Sequence, residues 1–203
     1  MGIEVAVATL PGGEERAAIR LLADAFADNP LNRAVIGRAH RASRERSNAW
    51  GLAAQLPSAL RYGTVLGARR EGSLAGVLIG ASPFSHPFPS PSVARRALSA
   101  LGQGLGAAQR WSEVFELLLA RRPELPHWYL SLLGVRPDRR GLGVGGALLG
   151  AWLARVDGAG GAAWLETDEP RNLPFYRRAG FEVRGELEVL SVPIWLLGRG
   201  ARG

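Results

Sequence analysis

Neither cysteine nor lysine occurs anywhere in the chain of 203 residues. Without cysteine, disulfides and thiolate metal sites are excluded. Histidine is also scarce. His40, His86 and His127 lie far apart and lack ligand spacing, so no metal is expected. Without lysine, the phosphate-binding loop GxxxxGK[ST] is excluded, because its lysine reaches the phosphates. No stretch reaches the roughly 18 uninterrupted apolar residues of a spanning helix. The N-terminus carries Glu4 among small residues, not a basic start followed by a long apolar run. A soluble, cytoplasmic protein with no membrane partner is therefore expected.

A hydrophobic content of 47% is ample for a core. The length suits a single domain covering 1–203. The net charge is +7, but it comes from arginines scattered along the chain. A nucleic-acid face requires clustered charge, so no nucleic-acid partner is expected.

Ile3 to Leu10 alternates weakly and reads as a strand. A helix follows, with Glu14 and Glu15 in its first turn and Ile19, Leu22 and Phe26 at helical spacing. Asp28-Asn29-Pro30 ends it, and its end, Phe26 to Leu31, is a candidate pocket wall. Ser43 to Leu60 reads as a helix that Pro57 kinks or shortens. Thr64 to Arg69 and Ser73 to Ala81 read as strands joined at Glu71-Gly72. The proline-rich Ser82 to Ser92 is a loop. Glycines 102, 104 and 106 split the next segment into helices over 92–102 and 106–121. This insert, about 92–122, either shapes a substrate pocket or only covers the sheet. His127 to Val135 is a buried strand, Gly145 to Val156 a helix, Ala162 to Glu166 a strand and Arg171 to Ala179 a helix. Phe181 to Arg184 and Glu188 to Leu197 are two closing strands.

The organising stretch is Leu130 to Ala151. A strand passes through Arg136 to Arg140 into a turn with Gly141, Gly143, Gly145 and Gly146, and then a helix. Amides at a helix N-terminus lack internal partners and sit at the positive end of the dipole, so such a turn cradles phosphate. Arg136, Arg139 and Arg140 add positive charge beside it. Gly141, Gly143 and Gly146 also match GxGxxG, with Glu166 about 20 residues further on, as a dinucleotide site would have. That match is weak. Five residues, one of them proline, separate strand from glycine, and there is a single strand–helix–strand unit.

Val135-x-Pro137-x-x-Arg140-x-x-Gly143-x-Gly145 resembles the acyl-CoA motif of the GNAT superfamily of N-acetyltransferases. Asn172 to Phe181 (NLPFYRRAGF) resembles the same family's downstream signature. The similarity covers most of the chain and is strongest from about Leu117 to Val183. It extends to the puromycin-type members through Leu165-Glu166-Thr167, Pro170 to Tyr176, Ala25 to Asp28 with Pro30, and Pro126 to Leu130. Those members carry tyrosine where this chain has Asn29, so the resemblance transfers the reaction and not the substrate.

The resemblance implies an α/β (α+β) GNAT fold. Its central sheet is mixed but mostly antiparallel, with about seven strands splayed at the CoA site, flanking helices and a helical insert before the central strand. It implies acetyl-CoA as co-substrate. The amides of Arg140, Gly141, Leu142, Gly143, Val144, Gly145 and Gly146 would hold the pyrophosphate. The main chain of Leu133, Gly134 and Val135 would pair with pantetheine. Asn172 would contact CoA, and Tyr176 would protonate the departing thiolate. Read without the family, Asn172 serves equally as a helix cap and Tyr176 as a half-buried aromatic.

The acceptor amine must lose a proton. Glu113, Glu116, His127, Glu166 and Asp168 are candidate bases by position, and Glu166 ranks first. Glu113 and Glu116 also suit a solvated helix face. Phe26, Asn29 and His127 are candidate substrate contacts. The expected activity is acetylation of a primary amine on a small molecule, by a monomer or homodimer. The rivals are a protein or peptide N-acetyltransferase and a CoA-binding sensor without catalysis.

Overall fold

A computed structural model of the protein describes residues 4–201; Ile3, assigned to the first strand from sequence, lies outside them. Seven strands form one sheet: β1 (Ala6–Thr9), β2 (Thr64–Arg70), β3 (Ser73–Ala81), β4 (Trp128–Val135), β5 (Ala163–Thr167), β6 (Glu182–Val189) and β7 (Val192–Arg199). Their order is β1-β2-β3-β4-β5-β7-β6. Every pairing is antiparallel except β4 with β5. This is the arrangement that the GNAT resemblance implies. The helices are α1 (Glu15–Phe26), α2 (Pro30–Ile36), α3 (Arg41–Tyr62), α4 (Val93–Gln103), α5 (Leu105–Leu119), α6 (Val144–Gly158) and α7 (Leu173–Arg178).

The exceptional pairing shapes the molecule. β4 pairs with β5 only at Trp128–Ala163 and Tyr129–Trp164. Beyond those pairs the two strands part, while β4 stays paired to β3 as far as Val135. The register with β3 slips at Ile79/Gly80, so that Ile79 faces Leu132 and Gly80 faces Leu130. The extra residue, Ser131, bends β4 where the opening begins, as a bulge does.

Three apolar clusters hold the layers together. Under α6, Val144, Leu148, Trp152 and Val156 meet Leu78, Leu165, Phe181 and Leu197. A Cβ on Gly80 would fall 2.1 Å from the Trp152 ring nitrogen, so only glycine lets this indole lie on β3. On the other face, α1 and α3 bury Leu22 and Leu56 against Val77 and Ile79. The third cluster seats Val114 and Leu118 of α5 on Tyr129, Trp164 and Ile194. Burying each such aliphatic side chain stabilises the fold by about 1.5–3 kcal/mol.

Several details differ from or sharpen the sequence reading. Asn29-Pro30 ends α1 but also starts α2, with Pro30 at the first helical position, where its missing N–H costs nothing. Pro57 sits inside α3 without ending it. The closing hairpin turns at Leu190-Ser191, both at positive φ, so Glu188 and Val189 belong to β6 and not to β7.

Candidate active site

β4 leads through Arg136 and a short 3-10 turn (Pro137–Arg139) to α6. Gly143 caps α6 with φ 82° and no side-chain cap. That conformation suits glycine, and the first-turn amides of α6 lack intrahelical partners. A Cβ on Gly141, Gly143 or Gly146 would meet nothing within 4 Å. The backbone here is bare toward a cleft of about 1450 Å³, which runs from the turn along β4 to α7.

The cleft collects most residues named from sequence. Leu133, Gly134 and Val135 line it along the strand edge that β5 has left. Arg140, Gly141, Gly143, Val144, Gly145 and Gly146 line its turn, Asn172 and Tyr176 its far wall. Leu142 does not line it. Its side chain is exposed, and its carbonyl accepts a hydrogen bond from Arg70 at 3.2 Å. The arginines contribute less charge than the sequence suggests. Arg136 pairs with Asp138, Arg139 with Glu71, and Arg140 donates to the Ala25 carbonyl at 2.9 Å.

Asn172 makes no cap bond; its amide donates to Thr167 at 3.4 Å. Tyr176 is buried between Phe175 and Phe181, with ring centroids 5.0 and 6.0 Å away. Burial pushes its phenol well above the ordinary value, and the charge of Asp168 adds to the shift. The hydroxyl stays protonated at neutral pH.

Behind the parted strands lies a second, smaller pocket of about 210 Å³. Phe26 and Asn29 line both cavities and mark where they meet. Its roof comes from the insert: Trp111, Phe115 and Leu118 of α5. The insert therefore both covers the sheet and shapes a pocket. The helix that carries these three residues was legible over 106–121. The contribution of α2 was not, because the sequence shows no helix there.

The candidate bases separate. Glu166 lines the small pocket, but both its oxygens are occupied: Oε1 accepts from Arg122 at 3.1 Å and Trp164 at 3.1 Å, Oε2 from Tyr129 at 2.6 Å. Arg122 lies over the Tyr129 ring at 3.5 Å. Its partnership with Glu166 is buried on both sides, at 8% and 7% side-chain exposure. Glu166, ranked first from sequence, thus holds three donors and anchors the pocket wall. His127 lines neither cavity. Its Nδ1 donates to the Leu125 carbonyl at 2.9 Å, and its ring lies 6.4 Å from that of Trp164. His127, a candidate substrate contact from sequence, is thus held at the strand end outside both of these cavities. Glu113 is exposed and bonded to Gln109, and Glu116 is exposed.

Asp168 also lines the small pocket, just past the end of β5. Its Oδ2 accepts from the Leu31 amide at 2.8 Å and its Oδ1 from Asn29 at 3.3 Å. Burial raises its carboxyl above the usual range, against the lowering effect of these hydrogen bonds.

Among the described residues no cluster of histidine and acid side chains could hold a metal, and no helix is long and apolar enough to cross a membrane. The family model "Acetyltransferase (GNAT) domain" matches residues 99–183, which include the glycine turn and the segment from Asn172 to Phe181. This stretch of the chain matches a GNAT acetyltransferase domain. GNAT domains generally use acetyl-CoA, and the match supports an acyl-CoA-dependent N-acetyltransferase.

Solved GNAT structures share the fold. A histone acetyltransferase HPA2 and related acetyltransferase from Corynebacterium glutamicum is 20% identical, with a TM-score of 0.73 over 99% of this chain and 98% of that one. Arylalkylamine N-acetyltransferase 2 from Aedes aegypti is 15% identical, with a TM-score of 0.67 over 98% of this chain and 100% of its own. The polyamine N-acetyltransferase of Drosophila melanogaster, which forms N-acetylagmatine, is 16% identical, with a TM-score of 0.60 over 97% and 100%.

Proposed function

We propose that this GNAT domain, as a single unit over 1–203, transfers an acetyl group from acetyl-CoA to the primary amine of a small molecule, by direct attack in a ternary complex. The observation that carries the reading is the parting of β4 from β5, with a long cleft and a small pocket meeting at Phe26 and Asn29. Donor and acceptor can then approach from opposite sides.

The amides from Arg140 to Gly146 hold the pyrophosphate, by the helix N-terminus and the bare glycines. The open edge of β4, from Leu133 to Val135, bonds the amides of pantetheine as an added strand would. Its N–H groups near Leu133 and Gly134 polarise the thioester carbonyl. Asn172 contacts the cofactor. Tyr176 gives its proton to the departing sulfur. The neighbours named for arylalkylamine and agmatine chemistry support a small amine as acceptor. So does the size of the second pocket, which is too small for a folded partner's surface. We place the enzyme in the cytoplasm, as a monomer or homodimer with no nucleic-acid or membrane partner.

Thiol release from acetyl-CoA over a panel of small amines and lysine peptides tests the reading. Turnover on small amines is expected. Turnover confined to peptides would move the enzyme to protein acetylation. Tight CoA binding without turnover on any amine would make it a sensor.

A further inference from the structure

We propose that the small pocket takes a singly charged arylalkylamine, and that Asp168, not Glu166, holds its nitrogen and receives its proton. The inference rests on the acetyl-transfer reading above and gives it a substrate class.

The charges lining the pocket select the charge of the ligand. Only two of the residues lining it are ionic, Glu166 and Asp168. Glu166 is neutralised by Arg122, so one uncompensated acid remains. No arginine lines the pocket. A carboxylate or phosphate on the acceptor would therefore be desolvated beside acids, without a partner. A second ammonium would have no second acid to meet. One cation fits.

The walls select the body of the ligand. Trp111 and Phe115 lie nearly parallel, with centroids 5.5 Å apart and planes at 22°. With Phe26, Leu52, Leu118 and Ile194 they make an apolar chamber. A cavity of about 150 Å³ holds benzene, so 210 Å³ suits one ring on a short chain. Two further polar groups of the lining are already engaged: Asn48 donates to Ala23, and Gln103 to Ser99. Asn32 differs. It is 8% exposed, and its Oδ1 has no hydrogen-bond partner among the described residues. It follows Leu31, which is bonded to Asp168. An amine N–H bound at Asp168 is the donor that suits Asn32.

Asp168 keeps lone-pair capacity after its bonds to Leu31 and Asn29. It lines the small pocket and is bonded to Asn29, which lines both cavities, and its charge reaches Tyr176. The arriving ammonium gives one proton to Asp168, which passes it to water. The neutral nitrogen then forms the C–N bond to the thioester carbon, and the C–S bond breaks. The second N–H proton leaves for Asp168 as the amide forms, and Asp168 passes it to solvent as it did the first. Tyr176 supplies the sulfur with its proton and recovers one from solvent. Free thiol, amide and one released proton result.

The test compares initial rates on 2-phenylethylamine, phenylalanine, 1,4-diaminobutane and a lysine peptide, with acetyl-CoA binding measured in parallel. The kcat/KM for 2-phenylethylamine should exceed each of the others by about tenfold or more. Asp168→Asn should lower kcat about a hundredfold while acetyl-CoA affinity is unchanged. If that variant does not fold, Phe115→Ala decides, because this ring is 45% exposed and dispensable to the core. It should raise KM for 2-phenylethylamine about tenfold and change kcat little. Equal or better turnover of the diamine, phenylalanine or peptide, with acetyl-CoA still bound, would overturn the inference and leave the transferase reading intact. Full turnover in folded Asp168→Asn, or an unchanged KM in Phe115→Ala, would also overturn it. Failure to bind acetyl-CoA at all would overturn both readings.

Discussion

The Leu31 amide donates to Asp168 Oδ2 at 2.8 Å, across 137 residues of chain. One carboxylate thus caps the first turn of α2 and faces the acceptor pocket. The sheet end and the helix that walls the pocket are tied through it. Asp168→Ala should lose this cap and destabilise the fold by about 1–2 kcal/mol. Asp168→Asn keeps an acceptor for Leu31 and should lose less. Urea denaturation of the two variants checks the ranking.

Glu166 makes the opposite prediction. Glu166→Gln removes the charge from a buried pair and leaves Arg122 uncompensated. Breaking such a pair costs about 3–5 kcal/mol. The midpoint of thermal unfolding should fall sharply, while acetyl-CoA affinity, measured below that midpoint, stays at the wild-type value. A stable Glu166→Gln with turnover abolished would restore Glu166 as the base.

Tyr176→Phe removes one oxygen from a packed ring and leaves both aromatic contacts in place. It should lower kcat about 100-fold, within the usual range for a lost general acid, and should weaken acetyl-CoA binding little. Pre-steady-state thiol release separates the two effects. Wild-type turnover would remove Tyr176 from proton transfer.

His86 gives a pH dependence. Burial, with the charge of Arg122 next in size and then His127, pushes its imidazole down to about 3. It accepts a hydrogen bond from Arg122 and packs 4.3 Å from the Tyr129 ring. The unfolded chain takes up this proton near pH 6.5, the folded chain only near 3. Between those values the unfolded state holds more protons, so stability rises with pH and is lost as pH falls. Above about pH 6.5 the group contributes no slope. Since the ring is only half-buried, solvent screens the effect. His86→Gln keeps an acceptor for Arg122 without titrating. Its unfolding midpoint should decline less than that of the wild type between pH 6.5 and 3.

The donor side was legible because its chemistry lies in the main chain. Amides, glycines and a helix start are encoded contiguously, and Gly141 to Gly146 showed them. The small pocket is assembled from α1, α2, α3, α4, α5, β4, β7 and the end of β5. No local spacing relates Asp168 to Leu31 or Glu166 to Arg122. Asn29-Pro30 read as a stop because proline breaks a preceding helix, yet the same proline starts the next one. Glu166 ranked above Asp168 because position alone cannot show that Arg122, Trp164 and Tyr129 converge on it.

The most direct test of the central claim is calorimetric titration of acetyl-CoA into the wild type and Gly146→Glu. Gly143→Glu places charge at the same site but also forces a side chain to φ 82°. Gly146 has open space and no positive φ, so its variant should keep the wild-type unfolding midpoint. The account predicts one acetyl-CoA bound per wild-type chain, and affinity at least about a hundredfold weaker in the variant, because a carboxylate then faces the pyrophosphate. Equal affinity in the folded variant would contradict the placement of the donor at the glycine turn.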